Sequence, residues 1–303
     1  MSAKTQRGSN CLSALGLLCL LLALPAWAQV SVRDDAGNLV RLAQPARRIV
    51  SLAPHATEIL FAAGAGDRVV GVVGYSDYPP AARSLPQVGS YRALDVEAIA
   101  ALRPDLVVAW QSGNPPGQLE QLRKLGLTLF LSEPRHLPDI PDDMERLGVL
   151  AGVPGPARAA VDRWRAGYRA LARRYAGRPP VRVFYEIWNR PLMTVNDRQI
   201  ISDVLHLCGG QNVFGALPAL APAVSTEAVL AADPEAIIAA GSGGKRPPWL
   251  DDWLAWPRLA AVARHNLFVV DADLVNRAGP RLLAGARQVC EALEQARGHR
   301  PGP

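Results

Sequence analysis

Glu97-Ala98-Ile99-Ala100-Ala101-Leu102-Arg103-Pro104-Asp105-Leu106-Val107-Val108-Ala109 returns 130 positions later (227 − 97) as Glu227-Ala228-Val229-Leu230-Ala231-Ala232-Asp233-Pro234-Glu235-Ala236-Ile237-Ile238-Ala239. Each copy reads as a short apolar helix with an acidic first turn, a proline stop and a buried strand. Another apolar segment comes after each copy, Leu127 to Leu131 in the first half and Leu267 to Val270 in the second. One helix-proline-strand match could arise by chance, but the same order in both halves predicts two lobes of related α/β fold.

Ile49 to Leu52 predicts a buried strand, Thr57 to Ala63 a helix closed by Gly64, and Val69 to Val73 a second strand. Helix Val96 to Leu102, strand Leu106 to Trp110 and helix Gln118 to Leu125 continue the alternation. Short apolar strands alternating with helices mean βαβ units around a parallel sheet. The stretch from Gln29 to Arg48 reads as polar and turn-rich. Between the halves, Val161, Trp164, Tyr168, Leu171 and Tyr175 recur at spacings of three and four among arginines, so Arg158 to Tyr175 is one long amphipathic helix. A helical connector is stiff, and little swing between lobes is expected. The division is a leader over 1–28, an N-terminal lobe over 29–152, a linking helix over 153–178 and a C-terminal lobe over 179–303.

The 303 residues, 49% hydrophobic and 20% charged, exclude a disordered tail, a collagen-like fibre and a multispanning membrane protein. Lys4 and Arg7 precede an apolar run from Cys11 to Leu24, which ends at Pro25 and Ala26-Trp27-Ala28. That order is a secretory signal peptide, with cleavage expected before Gln29. Its loss lowers the net charge from +6 to +4 (31 − 27), an excess too small and scattered to suggest nucleic acid. It also removes Cys11 and Cys19, leaving Cys208 and Cys290 in an oxidising setting, where they should pair. Two cysteines so far apart in sequence are not a zinc signature.

In a two-lobed α/β protein a ligand is expected in the cleft, at the carboxyl ends of the strands. Trp110 and Trp188 end or follow strands, and Tyr75, Tyr78 and Tyr91 fall in first-lobe loops. Loop aromatics suit a large flat ligand, while core packing is the simpler account of Trp164, Trp249, Trp253 and Trp256. Arg277, after the strand ending at Asp271, either offers a hydrogen-bond fork in the cleft or is an ordinary surface arginine. Glu97 and Glu227 are either complements to helix dipoles or a matched pair of docking carboxylates. His55, between strand and helix, is either an axial metal ligand or a plain helix-start histidine. Catalytic signals are poor. Gly241-Ser242-Gly243-Gly244-Lys245 fails as a phosphate loop because Arg246 and Ala239 stand where Ser/Thr and the first glycine are needed, and there is no G-x-S-x-G, HExxH or paired CxxC. No enzymatic activity is expected.

Arg48 to Pro54 with Thr57-Glu58, then Tyr75-Ser76-Asp77-Tyr78-Pro79-Pro80, Arg103-Pro104-Asp105-Leu106-Val107 and Cys208-Gly209-Gly210-Gln211-Asn212-Val213-Phe214 resemble the periplasmic vitamin B12-binding proteins of cobalamin ABC importers. The resemblance covers nearly all of the chain after the leader. It implies two Rossmann-like lobes joined by a single long α-helix, a ligand cleft between them, and a monomer in the periplasm. It also implies cobalamin as cargo, no cofactor and no chemistry. The family's corrinoid contacts fall on Tyr75, Tyr91, Trp110, Asp273 and Arg277. Its docking glutamates, which meet arginines of a permease and ATPase complex, fall on Glu97 and Glu227, and its disulfide on Cys208 and Cys290. This favours the docking account of the glutamates. Departures lie on the second-lobe side: Met193 replaces a phenylalanine and Ala221 a tryptophan, while Trp188 stands where the family has a small residue and is a substitute ligand contact. The alternative cargo is haem or a ferric siderophore.

Overall fold

The computed structural model describes residues 1–2 and 29–301, so the leader read over 1–28 lies almost wholly outside the described residues. The chain then enters a hairpin, β1 (Val30–Arg33) and β2 (Leu39–Leu42), where the sequence reads as turns. Its signal is the alternation of Val30, Val32, Val40 and Leu42 around an Asp-Asp-Ala-Gly-Asn turn, a period of two.

The first lobe continues through β3 (Ile49–Ser51), α1 (Pro54–Ala62), β4 (Val69–Val72), the ribbon β5 (Gly89–Ser90) and β6 (Ala93–Leu94), and α2 (Val96–Ala101). Strand β7 (Leu106–Trp110), α3 (Pro116–Lys124), β8 (Leu129–Ser132) and α4 (Asp139–Leu150) complete it. Its sheet is parallel, in the order β4-β3-β7-β8. After α5 (Pro154–Tyr175), the second lobe runs β9 (Val181–Glu186), the ribbon β10 (Trp188–Asn189) and β11 (Leu192–Met193), α6 (Ile200–Leu207) and β12 (Gly210–Asn212). Next come α7 (Thr226–Ala232), β13 (Ala236–Gly241), α8 (Ala260–Ala263), β14 (Leu267–Asp271), α9 (Ala272–Val275) and α10 (Leu282–Gly298). Its parallel sheet has the order β12-β9-β13-β14. In both lobes the second strand lies outside the first, with the third and fourth on the other side.

The sequence repeat is the α2-to-β7 and α7-to-β13 unit, and its backbone repeats in detail. Asp95 Oδ1 accepts from the Ala98 N–H and Ser225 Oγ from the Ala228 N–H, each capping its helix. At equivalent places Arg103 and Asp233, each just before a proline, take left-handed φ values of 44° and 40°. Helices α1, α3 and α5 begin at prolines, earlier than the periodicity places them. Proline at the first helical position loses no hydrogen bond and supplies the right φ, so a residue that reads as a stop is here a start.

Helix α5 has 22 residues and packs on α4 of the first lobe and α10 of the second. Its Trp164 is buried, stacks on Tyr168 and donates Nε1–H to the Pro280 carbonyl at 3.2 Å. A further tie crosses between lobes where the Leu137 N–H donates to Asp203 Oδ2 at 2.7 Å. Within the second lobe a disulfide joins Cys208, at the end of α6, to Cys290 on α10.

Candidate functional site

Parallel strands of both sheets point their carboxyl ends at the space between the lobes, and the residues after the strands line a cavity of about 370 Å³ there. From the first lobe come Pro54 and His55 after β3, Trp110 at the end of β7, Tyr91, and Glu133 after β8. The second lobe supplies Gln199, Ile200, Leu220, Ala221, Asn276 and Arg277. The two walls differ in kind. The first is aromatic: Trp110 meets Tyr91 with centroids 5.8 Å apart and His55 edge-on at 5.4 Å. The second is aliphatic and polar.

Asn114, buried and not anticipated from the sequence, fixes the aromatic wall. Its Oδ1 accepts from the Trp110 N–H at 2.7 Å, and its Nδ2 donates to the carbonyls of Leu52 at 3.0 Å and Tyr91 at 2.9 Å. Three loops are thereby held in one register. Gly113 makes room for the indole, since a Cβ there would come within 1.9 Å of the Trp110 ring.

Arg277 lines the cavity with a side chain only 13% exposed. It donates to Asp77 Oδ1 at 2.6 Å, Asp273 Oδ1 at 3.0 Å and Glu58 Oε1 at 3.3 Å. Hydrogen bonding from Arg277 holds the Asp77 carboxyl below the usual range. Glu58 on α1, 2% exposed, also accepts from Arg281 through both of its oxygens, at 3.0 and 2.6 Å. The Arg281 guanidinium in turn lies 3.9 Å from the centre of the Tyr78 ring. Carboxylates of the first lobe and arginines of the second thus form one partly buried clamp between the lobes. Sequence reasoning singles out Arg277 but gives no role to Glu58, Asp77 or Arg281. The available signal is an acid inside the helix Pro54–Ala62, whose only other polar residues are His55 and Thr57.

Behind His55 runs a buried polar chain. His55 Nε2 is 3.3 Å from Ser132 Oγ, which donates to Asp143 Oδ2 at 2.7 Å, and Arg146 binds both Asp143 and Asp35. Asp35 is delivered by the hairpin β1–β2. Burial lowers the His55 pKa to about 4, so the imidazole is neutral. Burial, followed by the charge of Asp35, pushes Asp143 upward while Arg146 opposes.

The remaining candidates lie elsewhere. Tyr75 is 73% exposed on its loop, and Trp188 is 57% exposed, facing Met193 across the β10–β11 ribbon. Neither they nor Met193 line the cavity, and Asp273 reaches it through Arg277. Glu97 and Glu227 are exposed on the first turns of their helices. Glu227's own N–H and Ser225 lower its pKa. A smaller cavity of about 110 Å³ in the second lobe is lined by Trp249, Trp253, Trp256, Glu186, Asp252 and others. Trp253 is core, as expected, whereas Trp256 is 44% exposed. Burial pushes Glu186, which accepts from Trp253 Nε1 at 2.8 Å, up to about 7. Among the described residues no cluster of His, Cys, Asp and Glu could by itself hold a metal ion.

A family model described as "Periplasmic binding protein" matches residues 49–274. A vitamin B12-binding protein of Vibrio cholerae is 39% identical over 253 residues, covering 83% of this chain and 91% of that protein. One from Yersinia pseudotuberculosis is 38% identical over 281 residues, 93% and 92% of the two chains. Among solved structures, the periplasmic vitamin B12-binding protein BtuF of Vibrio cholerae matches with a TM-score of 0.78 at 38% identity, covering 84% of this chain and 98% of that one. The periplasmic heme-binding protein RhuT from Roseiflexus matches with a TM-score of 0.72 at 26% identity, over 82% and 98%.

Proposed function

Because this chain belongs to the periplasmic binding protein family, we propose that it captures a cobalamin-type corrinoid between its lobes and hands it to an ABC permease. The observation that carries this reading is the interlobe cavity with an aromatic wall of Tyr91, Trp110 and His55, set at the strand ends of a chain similar to vitamin B12-binding proteins. Aromatic rings bury large apolar area at low entropic cost and supply most of the affinity. Arg277, held by three carboxylates, presents oriented N–H groups to ligand amides. Tyr75, Trp188, Met193 and Asp273 contact the cargo where it projects beyond the cavity. The lobes 29–152 and 179–303 stay close to their present angle because the 153–178 connector is helical. Glu97 and Glu227, one on each lobe in equivalent positions, set the register on the permease and ATPase complex. The protein works as a monomer in the periplasm and carries out binding and docking without catalysis.

The test is calorimetry and visible absorbance of residues 29–303 with cyanocobalamin, cobinamide and haemin. One-to-one binding of cyanocobalamin is the expected result. Binding of haemin alone would keep the transport reading and replace the cargo, a reading to which the likeness to RhuT lends support. Turnover of any of these by the purified chain would overturn the proposal.

A further inference from the structure

His55 is oriented as a ligand-donating histidine would be. Its Nε2 faces Ser132 Oγ, and Ser132 passes its own proton to Asp143, so an Nε2–H has an acceptor behind it. Arg146 and Asp35 close the chain, and Trp110 packs edge-on against the ring. An imidazole whose far nitrogen is tied through a hydroxyl to a carboxylate is fixed in orientation and tautomer. Among the described residues Arg146 Nε is the only enclosed side-chain polar atom without a hydrogen-bond partner, and His55 Nδ1 has no protein partner there either. That leaves Nδ1 as the ring nitrogen without a protein partner, on a side chain that is 5% exposed and lines the interlobe cavity. The group is neutral because burial disfavours its cation, which leaves a lone pair to give.

We infer that His55 Nδ1 is an axial donor to the metal of the carried corrinoid, taking the position of an exchangeable water. This rests on the corrinoid reading above. The step is a ligand substitution: the cobalt–water bond breaks, water leaves intact, and the Nδ1 lone pair forms the new cobalt–nitrogen bond with no change in oxidation state. Ser132 is then a positioning residue, holding the Nε2 proton and the ring plane. The consequence is selectivity among forms of one cargo. A corrinoid with water in the facing axial position gains a bond that one blocked by cyanide does not.

The experiment compares aquocobalamin with cyanocobalamin on the full mature chain, reading both affinity and the visible spectrum. Aquocobalamin should bind about tenfold or more tightly than cyanocobalamin and change its absorbance as imidazole replaces water; His55→Ala should remove the spectral change and bring the two Kd values within about threefold of each other. The histidine variant matters because His136 and His206 are exposed and could coordinate cobalt on the surface. Ser132→Ala should narrow the aquo-to-cyano ratio to an intermediate value while the spectral change persists. Should the wild-type protein bind cyanocobalamin but give equal affinities and no spectral change with aquocobalamin, axial donation is overturned and the corrinoid reading stands. A spectral change that survives His55→Ala also overturns it. Failure to bind either form overturns both.

Discussion

The two lobes share a strand order, a capped helix bearing an exposed glutamate and a left-handed residue before a proline, yet buried acids in them are satisfied in different ways. In the first lobe the buried acid Asp143 has a cation, Arg146, and sits in a chain that ends at a histidine on the cavity. The buried acid of the second, Glu186, has the Trp253 N–H for a partner, faces the charge of Asp252, and has no cation among the described residues. A disulfide is found in the second lobe as well. The backbone repeat thus describes a scaffold, while the cavity's aromatic wall and the buried acids belong to side chains that the repeat does not share.

The sharpest break of that comparison should come from the disulfide. Replacing Cys208 and Cys290 together by alanine should cost about 2 to 5 kcal/mol in denaturant unfolding, with the loss confined to the second lobe in hydrogen exchange. Equal loss of protection in the first lobe would mean that the lobes unfold as one body.

Next is the asymmetry of the cavity walls. Trp110→Ala should raise the Kd for cyanocobalamin about 100-fold, since truncating a buried aromatic anchor costs about 2 to 4 kcal/mol, whereas Leu220→Ala on the facing wall should cost less than about tenfold. Equal effects in calorimetry would remove the distinction between an anchoring and a closing wall.

Glu186 gives a smaller effect with a definite sign. Its folded pKa is raised from 4.5 to about 7, so the folded chain holds the proton more tightly. Stability from this group is full below about pH 4.5 and is lost as pH rises through 7, a change on the order of 3 kcal/mol. Glu186→Gln should flatten that part of the stability profile, measured by urea unfolding between pH 4.5 and 7.5; an unaltered slope would assign it to other groups.

The smallest effect on the isolated chain is expected from the exposed pair. A Glu97→Ala/Glu227→Ala variant should keep its melting temperature and ligand affinity and fail to support uptake in cells or reconstituted vesicles. Normal uptake would return both residues to a helix-dipole role.

Much of this is legible in the sequence because strands buried on both faces are apolar runs and the repeat supplies their order. The starts of α1, α3 and α5 escape it because proline marks both the end of one element and the first turn of the next. The hairpin Val30 to Leu42 escapes it because four-residue strands carry a weak alternation signal. Trp110 and Arg277 are readable as residues following strands. Asn114, Glu58 and Asp143 are not, because their importance lies in partners far along the chain: Leu52 for the first, Arg277 and Arg281 for the second, and for the third Asp35, which shares Arg146 with it.

Glu58 has a bearing on how cargo leaves. Parting the lobes would pull Arg277 and Arg281 away from a carboxylate that is 2% exposed, so these ion pairs have to be broken before the lobes can gape. Unassisted escape of ligand should accordingly be slow, and Glu58→Gln should speed it in stopped-flow dissociation. Glu58 and the two arginines thus act as a latch, and whatever opens the chain has to undo it.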